Sequence, residues 1–378
     1  MLKVNELFSG IGTQAYALEY LGIPHEIVGI SEIMKNAIEA YTVAHGETRN
    51  YGDISKIDKL DYADLWTYSF PCTDLSSGGK GAGIAAVDEN GNSVATRSGL
   101  LWEVERLLCK SCGYDLVDGL LVKNESYEIN PPKYLLLENV PELVTRKKHR
   151  LHFDKWIERL DELGYQSAFG VLNGGDFGVP QNRERVYCLS VRKDVYDGDI
   201  IFPSETYSTP VHVGFEDFVD KEVLEYKGPL MIDPNISKYL LPAYERDLEA
   251  IAECSNDIFR KKDIWTCECK SGFQDHRIGI RWAPTIRHQN THTAIFYNNQ
   301  IHKLTASECW KFMGIKEDDF LRVKNGTNLS DSILCGLAGN AIVVPVLMSL
   351  FYLIYKIENG ETLDENAPFL TINSRLKN

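Results

Sequence analysis

The chain has 378 residues, of which 44% are hydrophobic and 25% charged, which is typical of a folded globular protein with room for two domains. Its formal net charge of −14 excludes a protein that grips nucleic acid over its whole surface, although a local basic cleft would still bind phosphates. Nine scattered cysteines and the lack of a basic, apolar leader favour free thiols and a cytoplasmic location.

Strands alternate with helices through the first third of the chain, which is the pattern of an α/β sheet. The expected strands are Lys3–Phe8, His25–Ile30, Leu65–Phe70 and Tyr134–Val140. The expected helices between the early strands are Gln14–Leu21 and Lys35–His45. Ser167–Leu172 and Val186–Val191 are expected to form an antiparallel pair.

The composition changes after Arg192. Six prolines and weak periodicity up to about residue 300 indicate a separate, loop-rich domain. Helical patterns return at Ala306–Met313 and in the apolar run Ala341–Tyr355. That run is short for a membrane span and contains Pro345, so we interpret it as a buried helix and expect no membrane partner.

A glycine-rich turn follows the first strand in Phe8-Ser9-Gly10-Ile11-Gly12-Thr13. Glycines there allow a tight turn and a close approach to a ligand. Glu32 ends the second strand, where a carboxylate can bind ribose hydroxyls, and Asp53 follows where it suits an adenine amine. Together they favour an adenosine ligand, with a nicotinamide enzyme as an alternative.

Two further apolar strands deliver reactive residues at their ends. Ser69-Phe70-Pro71-Cys72 presents a thiol ahead of a glycine-rich loop, and a hydride-transfer enzyme has no need of that thiol. The strand that ends in Glu138-Asn139-Val140 delivers a carboxylate and an amide. In Gln181-Asn182-Arg183-Glu184-Arg185 the two arginines would share one face if the segment is extended.

This ordered set of motifs resembles the cytosine-C5 DNA methyltransferase family over most of the chain outside residues 193–300. Arg97–Leu100 is similar to a segment that lines the cofactor pocket, and His302–Gly314 to an element that braces the recognition domain. Gly339–Val344 is similar to the last family motif. Two departures are Ala341, where the family has serine, and Ile33, where it often has an aromatic residue.

The resemblance implies a Rossmann-like, doubly wound α/β sheet with an antiparallel terminal hairpin and a smaller, loop-rich target-recognition domain. We assign residues 1–192 to the catalytic domain, 193–325 to target recognition and 326–378 to a segment that returns to the catalytic domain. The implied cofactor is S-adenosylmethionine. The implied cofactor-binding residues are Phe8, Gly10, Ile11, Gly12, Thr13, Glu32, Ile33, Asp53, Ile54, Pro71, Leu100, Asn340 and Ala341.

The resemblance also implies catalytic roles. Cys72 is the nucleophile, Glu138 protonates N3 of the cytosine, Arg185 binds O2, and Arg183 positions a flap or a phosphate. The partner is double-stranded DNA, from which the target base must be flipped out. The expected DNA contacts are Ser77, Gly79, Lys80, Arg277, Arg281 and Arg287, the last three from a stretch, residues 258–303, with eight basic and three acidic residues.

Three alternatives remain beside DNA cytosine methylation: a tRNA methyltransferase on the same scaffold, a DNA-binding relative without activity, and the nicotinamide oxidoreductase. We expect a monomer, with a cognate restriction endonuclease as a candidate partner. Cys267-x-Cys269 lacks a second ligand pair, so no metal site is expected.

Overall fold

The structure is a computed structural model that describes residues 1–71, 86–87, 93–94, 97–201, 215–229, 231–233, 265–268, 278–288, 293–297 and 300–361. The chain divides into two compact units. The first unit comprises Met1–Leu172, Glu184–Thr209 and Val346–Asn378, and the second comprises Asn173–Arg183 and Pro210–Pro345. The assignment of functional domains made from the sequence stays a prediction.

A six-stranded sheet forms the centre of the first unit, as the α/β pattern predicts. Its strands are β1 (Leu2–Leu7), β2 (His25–Ser31), β3 (Leu65–Tyr68), β8 (Tyr134–Asn139), β9 (Tyr165–Asn173) and β11 (Glu184–Arg192). They stand in the order β2-β1-β3-β8-β11-β9. β1 is parallel to β2 and β3, and β3 is parallel to β8, whereas β11 is antiparallel to β8.

Apolar residues explain why this sheet is central. All six residues of β8 and all four of β3 are buried, as expected for strands covered on both faces. The helices of the first unit are α1 (Thr13–Leu21), α2 (Lys35–His45), α3 (Leu101–Ser111), α4 (Glu142–Thr145) and α5 (Lys147–Glu162). The sequence did not predict α5, although its buried residues recur every three or four positions: His149, Phe153, Trp156 and Leu160.

Two short antiparallel pairs also lie in the first part of the chain. They are β4 (Ala86–Val87) with β5 (Ser93–Val94), and the hairpin of β6 (Tyr114–Val117) and β7 (Leu120–Lys123). The hairpin follows α3 directly.

The second unit contains a five-stranded sheet, which the sequence analysis did not predict. Its strands are β12 (Met231–Ile232), β13 (Trp265–Glu268), β14 (Ile278–Ile280), β16 (Thr293–Tyr297) and β17 (Gln300–Lys303). They stand in the order β12-β17-β16-β13-β14, while β10 (Gln181–Asn182) pairs with β15 (Ala283–Pro284). These strands are short, which is why the apolar residues of this segment show only weak periodicity.

Helices complete the chain. They are α6 (Lys221–Glu225), α7 (Ala306–Lys311), α8 (Glu317–Gly326), α9 (Asp331–Asn340) and α10 (Val344–Glu358). α7 begins with a capping box in which Thr305 and Glu308 bond to each other's backbone. Among the described helices none alone has the length and apolar character of a membrane span, although α9 and α10, a bent pair, reach both together.

Candidate active site

The carboxyl ends of β1, β3 and β8 lie next to one another at one edge of the six-stranded sheet. From β1 the chain moves outward to β2 and then returns to β3 on the other side of β1, so the strand order reverses between β1 and β3. Ligands of open α/β sheets bind in the crevice outside such a reversal. β1 and β3 end here and lead into the glycine turn and into the segment before Cys72. β8 also ends here and carries Glu138 as its last residue but one.

Glu138 and Arg185 form an ion pair at this edge. Arg185 Nε lies 3.3 Å from Glu138 Oε1, and the side chains are only 16% and 8% exposed. Because β11 is antiparallel to β8, with Val186 opposite Asn139, it is the beginning of β11 that lies beside Glu138. Ser69 Oγ donates a hydrogen bond to Glu138 Oε2. The carboxylate is therefore held at both oxygens, next to a guanidinium.

Asn139 ties the end of β8 to the segment that leads to Cys72. Its Nδ2 donates to the carbonyl oxygen of Phe70 at 3.0 Å, and its Oδ1 accepts from the backbone of Val140 at 2.9 Å. Pro71 is the last described residue of this segment, and Cys72 lies outside the described residues. The amide of Asn139 thus anchors the backbone two residues before the expected nucleophile.

The glycine turn after β1 has an unusual backbone. Phe8, Gly10 and Gly12 have φ of 60°, 57° and 74°, all in the left-handed region. A Cβ at Gly12 would lie 2.6 Å from both Tyr41 Cε2 and His45 Nε2, whereas a Cβ at Gly10 would meet no atom within 4 Å. Left-handed Phe8 costs about 1–2 kcal/mol, and such strain is found where function requires it.

Glu32 connects this turn to α2. Its Oε2 accepts from the backbone N–H of Gly10 at 2.9 Å, and its Oε1 accepts from those of Ile33 and Met34 at 2.8 Å each. A carboxylate offers about four lone-pair positions, so one is left for a ribose hydroxyl. Ile33 lies beside it with 69% of its surface exposed.

Asp53 caps a short helical turn, Ile54–Lys56. Its Oδ1 accepts from the hydroxyl and the backbone N–H of Ser55, at 2.8 and 3.0 Å, and these bonds lower the pKa of Asp53. The group is therefore ionised at neutral pH, with Oδ2 4.0 Å from Lys56 Nζ. An ionised acceptor at this position suits an exocyclic amine.

Several expected cofactor residues are buried. Ile11, Thr13 and Ile54 are each 2% exposed, and Ala341 is 6% exposed. Phe8 and Leu100 are half-buried and pack against the core of the first unit. The sequence could not make this distinction, because a motif gives the position of a residue but not the direction of its side chain.

A buried cluster beneath the glycine turn was not found from the sequence. His45 Nε2 lies 3.2 Å from the carbonyl oxygen of Ile11, and its Nδ1 lies 3.2 Å from Glu19 Oε1. Both partners are acceptors, so both bonds form together only when the ring is doubly protonated. Glu6, fully buried in β1, has its pKa raised to about 7 by burial, against the opposing charge of His45. The sequence did contain one signal for this cluster, because Glu6 is an acid inside an apolar strand.

The profile of the C-5 cytosine-specific DNA methylase family matches residues 2–356. The chain belongs to this family. It is accordingly a DNA (cytosine-5-)-methyltransferase, and the fold is the Rossmann-like one that the sequence predicted.

Curated relatives and solved structures agree with the family. The type II methyltransferase M2.ScrFI of Lactococcus lactis subsp. cremoris is 30% identical over 94% of this chain and 99% of its own. The orphan methyltransferase M.SPBetaI of Bacillus phage SPbeta is 26% identical over 96% and 99%. The crystal structure of S. pombe Dnmt2 methyltransferase superposes with a TM-score of 0.58 at 20% identity, covering 95% of this chain and 100% of that one.

Within this methyltransferase Arg183 and Arg185 have different partners. Arg183 is buried in the second unit, where it donates to the carbonyl oxygens of Ile286 at 2.8 Å, Gly339 at 3.0 Å and Ala341 at 2.8 Å. These bonds brace the last family motif. Whether Arg183 also serves catalysis stays a prediction.

The last family motif is shaped by packing in the second unit. A Cβ at Gly339 would lie 2.2 Å from the carbonyl carbon of Arg287 and 2.3 Å from the backbone nitrogen of His288, so only glycine fits. Asn340 is exposed at the end of α9, and Ala341 is buried. The departure from serine at Ala341 therefore falls on a buried side chain with a braced carbonyl.

The expected DNA contacts are only partly described. Ser77, Gly79, Lys80 and Arg277 lie outside the described residues. Arg281, at a φ of 53°, forms a two-point ion pair with Glu216, with distances of 3.1 and 3.3 Å. Arg287 is half-buried. The two bonds to Glu216 use only some of the five N–H donors of Arg281, so a contact to DNA does not require this ion pair to break.

Proposed function

We propose that this methyltransferase transfers a methyl group from S-adenosylmethionine to carbon 5 of a cytosine flipped out of duplex DNA, through a covalent bond between Cys72 and C6. The observation that carries the proposal is the buried pair of Glu138 and Arg185, held by Ser69 at the sheet edge from which the chain leads to Cys72. Family membership adds the reaction class.

The first unit offers groups that fit the cofactor. The turn at Gly10 leaves open space, Glu32 has an acceptor position left for the ribose, and Asp53 is ionised where an adenine amine would donate. Exposed Ile33 would cover one face of the adenine. S-adenosylmethionine, when bound, supplies an electrophilic methyl group on a sulfonium sulfur.

The chain activates the base. Carbon 5 of cytosine is a poor nucleophile until the Cys72 thiolate adds to C6, which converts the C5–C6 bond into an enamine-like nucleophile. In its protonated form Glu138 faces the N3 edge and donates its proton to N3, which makes this addition easier, while Arg185 stabilises negative charge that develops on O2. Once C5 carries the methyl group, water takes the C5 proton, the C5–C6 double bond re-forms, the thiolate leaves and N3 returns its proton to Glu138.

Tritium transfer from labelled S-adenosylmethionine to duplex DNA tests this function. Cys72→Ser should abolish the transfer, while Cys112→Ser, which changes a half-buried thiol on another part of the first unit, should retain it. Duplex DNA that contains 5-fluorocytosine should trap a covalent adduct, because the fluorine prevents loss from C5. Retained transfer in Cys72→Ser would overturn the mechanism.

The substrate and a partner are tested separately. Competition between tRNA and duplex DNA should show tritium only in the DNA, and a preference for tRNA would favour the alternative substrate. We also propose that a restriction endonuclease shares the recognition sequence, supported by the type II relative of Lactococcus lactis subsp. cremoris. Bisulfite sequencing of DNA from cells that express the chain would reveal that sequence. A candidate endonuclease must then cut the sequence when it is unmethylated and fail to cut it when it is methylated.

A further inference from the structure

Asn50 joins the backbone segments of the two acids that the proposed function assigns to the cofactor. Its side-chain Oδ1 accepts hydrogen bonds from the backbone N–H of Glu32 at 3.2 Å and from that of Gly52 at 2.9 Å. Its Nδ2 donates to the carbonyl oxygen of Glu32 at 3.0 Å. Gly52 directly precedes Asp53. One amide side chain therefore connects the segment after β2, which carries the ribose acid, with the segment after α2, which carries the adenine acid.

These bonds call for an amide at this position. An amide has an acceptor oxygen and a donor nitrogen on one flat group, and the surroundings of Asn50 use both. They also settle which atom is the oxygen, because the opposite orientation would point the NH2 group at two N–H donors. A carboxylate could not donate to the carbonyl oxygen of Glu32, and an aliphatic side chain could make none of the three bonds. The residue type is therefore matched to both neighbouring backbones.

Ser31 holds the same segment from its other side. Its Oγ donates to the carbonyl oxygen of Gly52 at 2.7 Å. Both peptide groups around Gly52 are thus bonded, the one before it to Asn50 and the one that leads to Asp53 to Ser31. The carbonyl oxygen of Ser31 accepts from the backbone N–H of Phe8, in the glycine turn, at 2.7 Å. The end of β2 is thereby tied both to the turn and to the segment of Asp53.

The two segments come together without the side chain of Asn50. The backbone N–H of Ile30 donates to the carbonyl oxygen of Arg49 at 2.9 Å, and that of Tyr51 donates to the carbonyl oxygen of Ile30 at 2.8 Å, which makes a parallel bridge. The ring of Tyr51 packs over Gly29, where a Cβ would lie 2.2 Å from Tyr51 Cε2. The amide of Asn50 therefore adjusts the position of a segment that backbone bonds and an aromatic ring already hold.

We propose that Asn50, supported by Ser31, is a positioning residue that fixes Asp53 relative to Glu32, so that one adenosine is bound by its ribose and by its adenine amine at the same time. This inference rests on the proposed function, because it takes these two acids as the cofactor acids. A binding site must hold its contacting groups to within about 0.5 Å, through hydrogen bonds from the residues behind them. Without Asn50 both acids are still present, but they no longer fit the same ligand.

Two ligands that differ at the adenine amine test this role. The first is S-adenosylhomocysteine, which S-adenosylmethionine becomes when it loses its methyl group. The second is S-inosylhomocysteine, in which a carbonyl oxygen replaces the amine. The Kd of each is measured by calorimetry for wild type and for Asn50→Leu, which has a similar volume and makes none of the three bonds. The Kd of the inosine ligand divided by that of the adenosine ligand reports the contact of Asp53 with the amine.

In wild type this Kd ratio should be about 10–100, the effect of one hydrogen bond to a charged acceptor. In Asn50→Leu the ratio should fall to about 1–3, because the Kd of S-adenosylhomocysteine rises about 10-fold or more while that of S-inosylhomocysteine changes less. A purely structural loss would raise both Kd values equally. A wild-type ratio in Asn50→Leu would therefore overturn the inference.

A second variant and a control accompany this measurement. Ser31→Ala removes the bond to Gly52 but keeps the carbonyl bond to the glycine turn, so it should lower the ratio about 2–10-fold. If thermal unfolding shows that Asn50→Leu does not fold, Ser31→Ala decides, and an unchanged ratio there would overturn the inference. The control Thr48→Val removes a hydroxyl whose hydrogen bond, 3.5 Å to the carbonyl oxygen of Gly46, involves neither acid. It should keep the wild-type ratio.

Failure of the proposed function gives a different result. If wild-type protein binds neither ligand, or binds both equally, the cofactor assignment of Asp53 is wrong and this inference falls with it. If wild-type protein prefers the adenosine ligand and Asn50→Leu keeps that preference, Asn50 is not a positioning residue and the proposed function stands.

Discussion

The two ends of the active edge are built in different ways. At the end of β1 the site is shaped by the backbone: Gly10 and Gly12 take left-handed conformations, and Glu32 accepts hydrogen bonds from three backbone N–H groups. At the end of β8 the site is formed by side chains, because Glu138 and Arg185 form an ion pair. We therefore expect changes at the first end to affect cofactor binding, and changes at the second to affect the chemical step.

The largest effect is expected from Glu138→Gln. The substitution keeps the shape and the hydrogen bond from Ser69 but removes the proton-carrying group, so kcat for tritium transfer should fall by about 10²–10⁴-fold. The KM for S-adenosylmethionine should stay within about twofold. Glu142→Gln, a change in the first turn of α4, is the control and should leave both constants unaltered. A wild-type kcat in Glu138→Gln would contradict the division between the two ends.

Gly12→Ala tests the backbone end. The new Cβ would meet Tyr41 and His45 at 2.6 Å, and φ of 74° costs about 1–2 kcal/mol for alanine, so the turn must move. We expect KM for S-adenosylmethionine to rise about tenfold or more, with kcat at saturating cofactor retained.

The control for this change is Gly22→Ala. Gly22 is also left-handed, at a φ of 64°, but a Cβ there would meet nothing within 4 Å and the residue ends α1 away from the turn. It should lower stability by about 1 kcal/mol and leave KM unchanged. Equal rises of KM in both variants would show that general destabilisation, rather than the shape of the turn, is responsible.

The sequence predicted the two ends to different degrees. Glu138 could be found because an apolar run ended in a carboxylate, and β9 and β11, which were expected to pair, are neighbours in the sheet. The pairing of Glu138 with Ser69 could not be found, because it depends on β3 and β8 being neighbours. Likewise, the spacing of Arg183 and Arg185 in the sequence does not predict the backbone carbonyl oxygens that accept hydrogen bonds from Arg183.

Tertiary neighbours explain the other misses. The cluster of Glu6, Tyr41 and His45 joins a strand to a helix some 35 residues away, and no local pattern records that contact. The five-stranded sheet of the second unit is made of strands of two to five residues, which are too short to show alternation. α5 was missed although its apolar spacing was present, because its basic start hides the usual signal of a helix N-terminus.

A pH effect should come from Glu6. Burial raises its pKa from 4.5 to about 7, so between these values the unfolded chain releases a proton that the folded chain keeps. The free energy of unfolding therefore falls as pH rises from about 4.5 to 7 and is constant above that range. Glu6→Gln should remove this loss and stabilise the protein at pH 8 by roughly 1–3 kcal/mol relative to wild type, whereas at pH 4 it should not.

Urea unfolding at several pH values measures this effect. Glu19→Gln is the control, since Glu19 is the exposed partner of His45 and has 39% of its side chain in solvent. It should leave the pH dependence between 4.5 and 7 in place. If Glu6→Gln retains the full pH dependence, the Glu6 carboxyl is not its source. Glu6 would then be ionised in the folded protein over the whole range from pH 4.5 to 7.

The smallest effect is expected from Ile33→Trp at the backbone end. Ile33 is 69% exposed next to Glu32, and an indole there would stack on the adenine where a branched aliphatic side chain only covers it. Such a ring contact adds about 0.5–1.5 kcal/mol, so the Kd for S-adenosylmethionine, measured by calorimetry, should fall about 2–10-fold with kcat unchanged. Ile129→Trp, at a site of similar exposure (66%) in the segment after the β6–β7 hairpin, should change neither. An unchanged Kd in Ile33→Trp would mean that adenine does not lie against this residue, and the position of the cofactor beside Glu32 would have to be abandoned while the carboxylate end of the site remained as described.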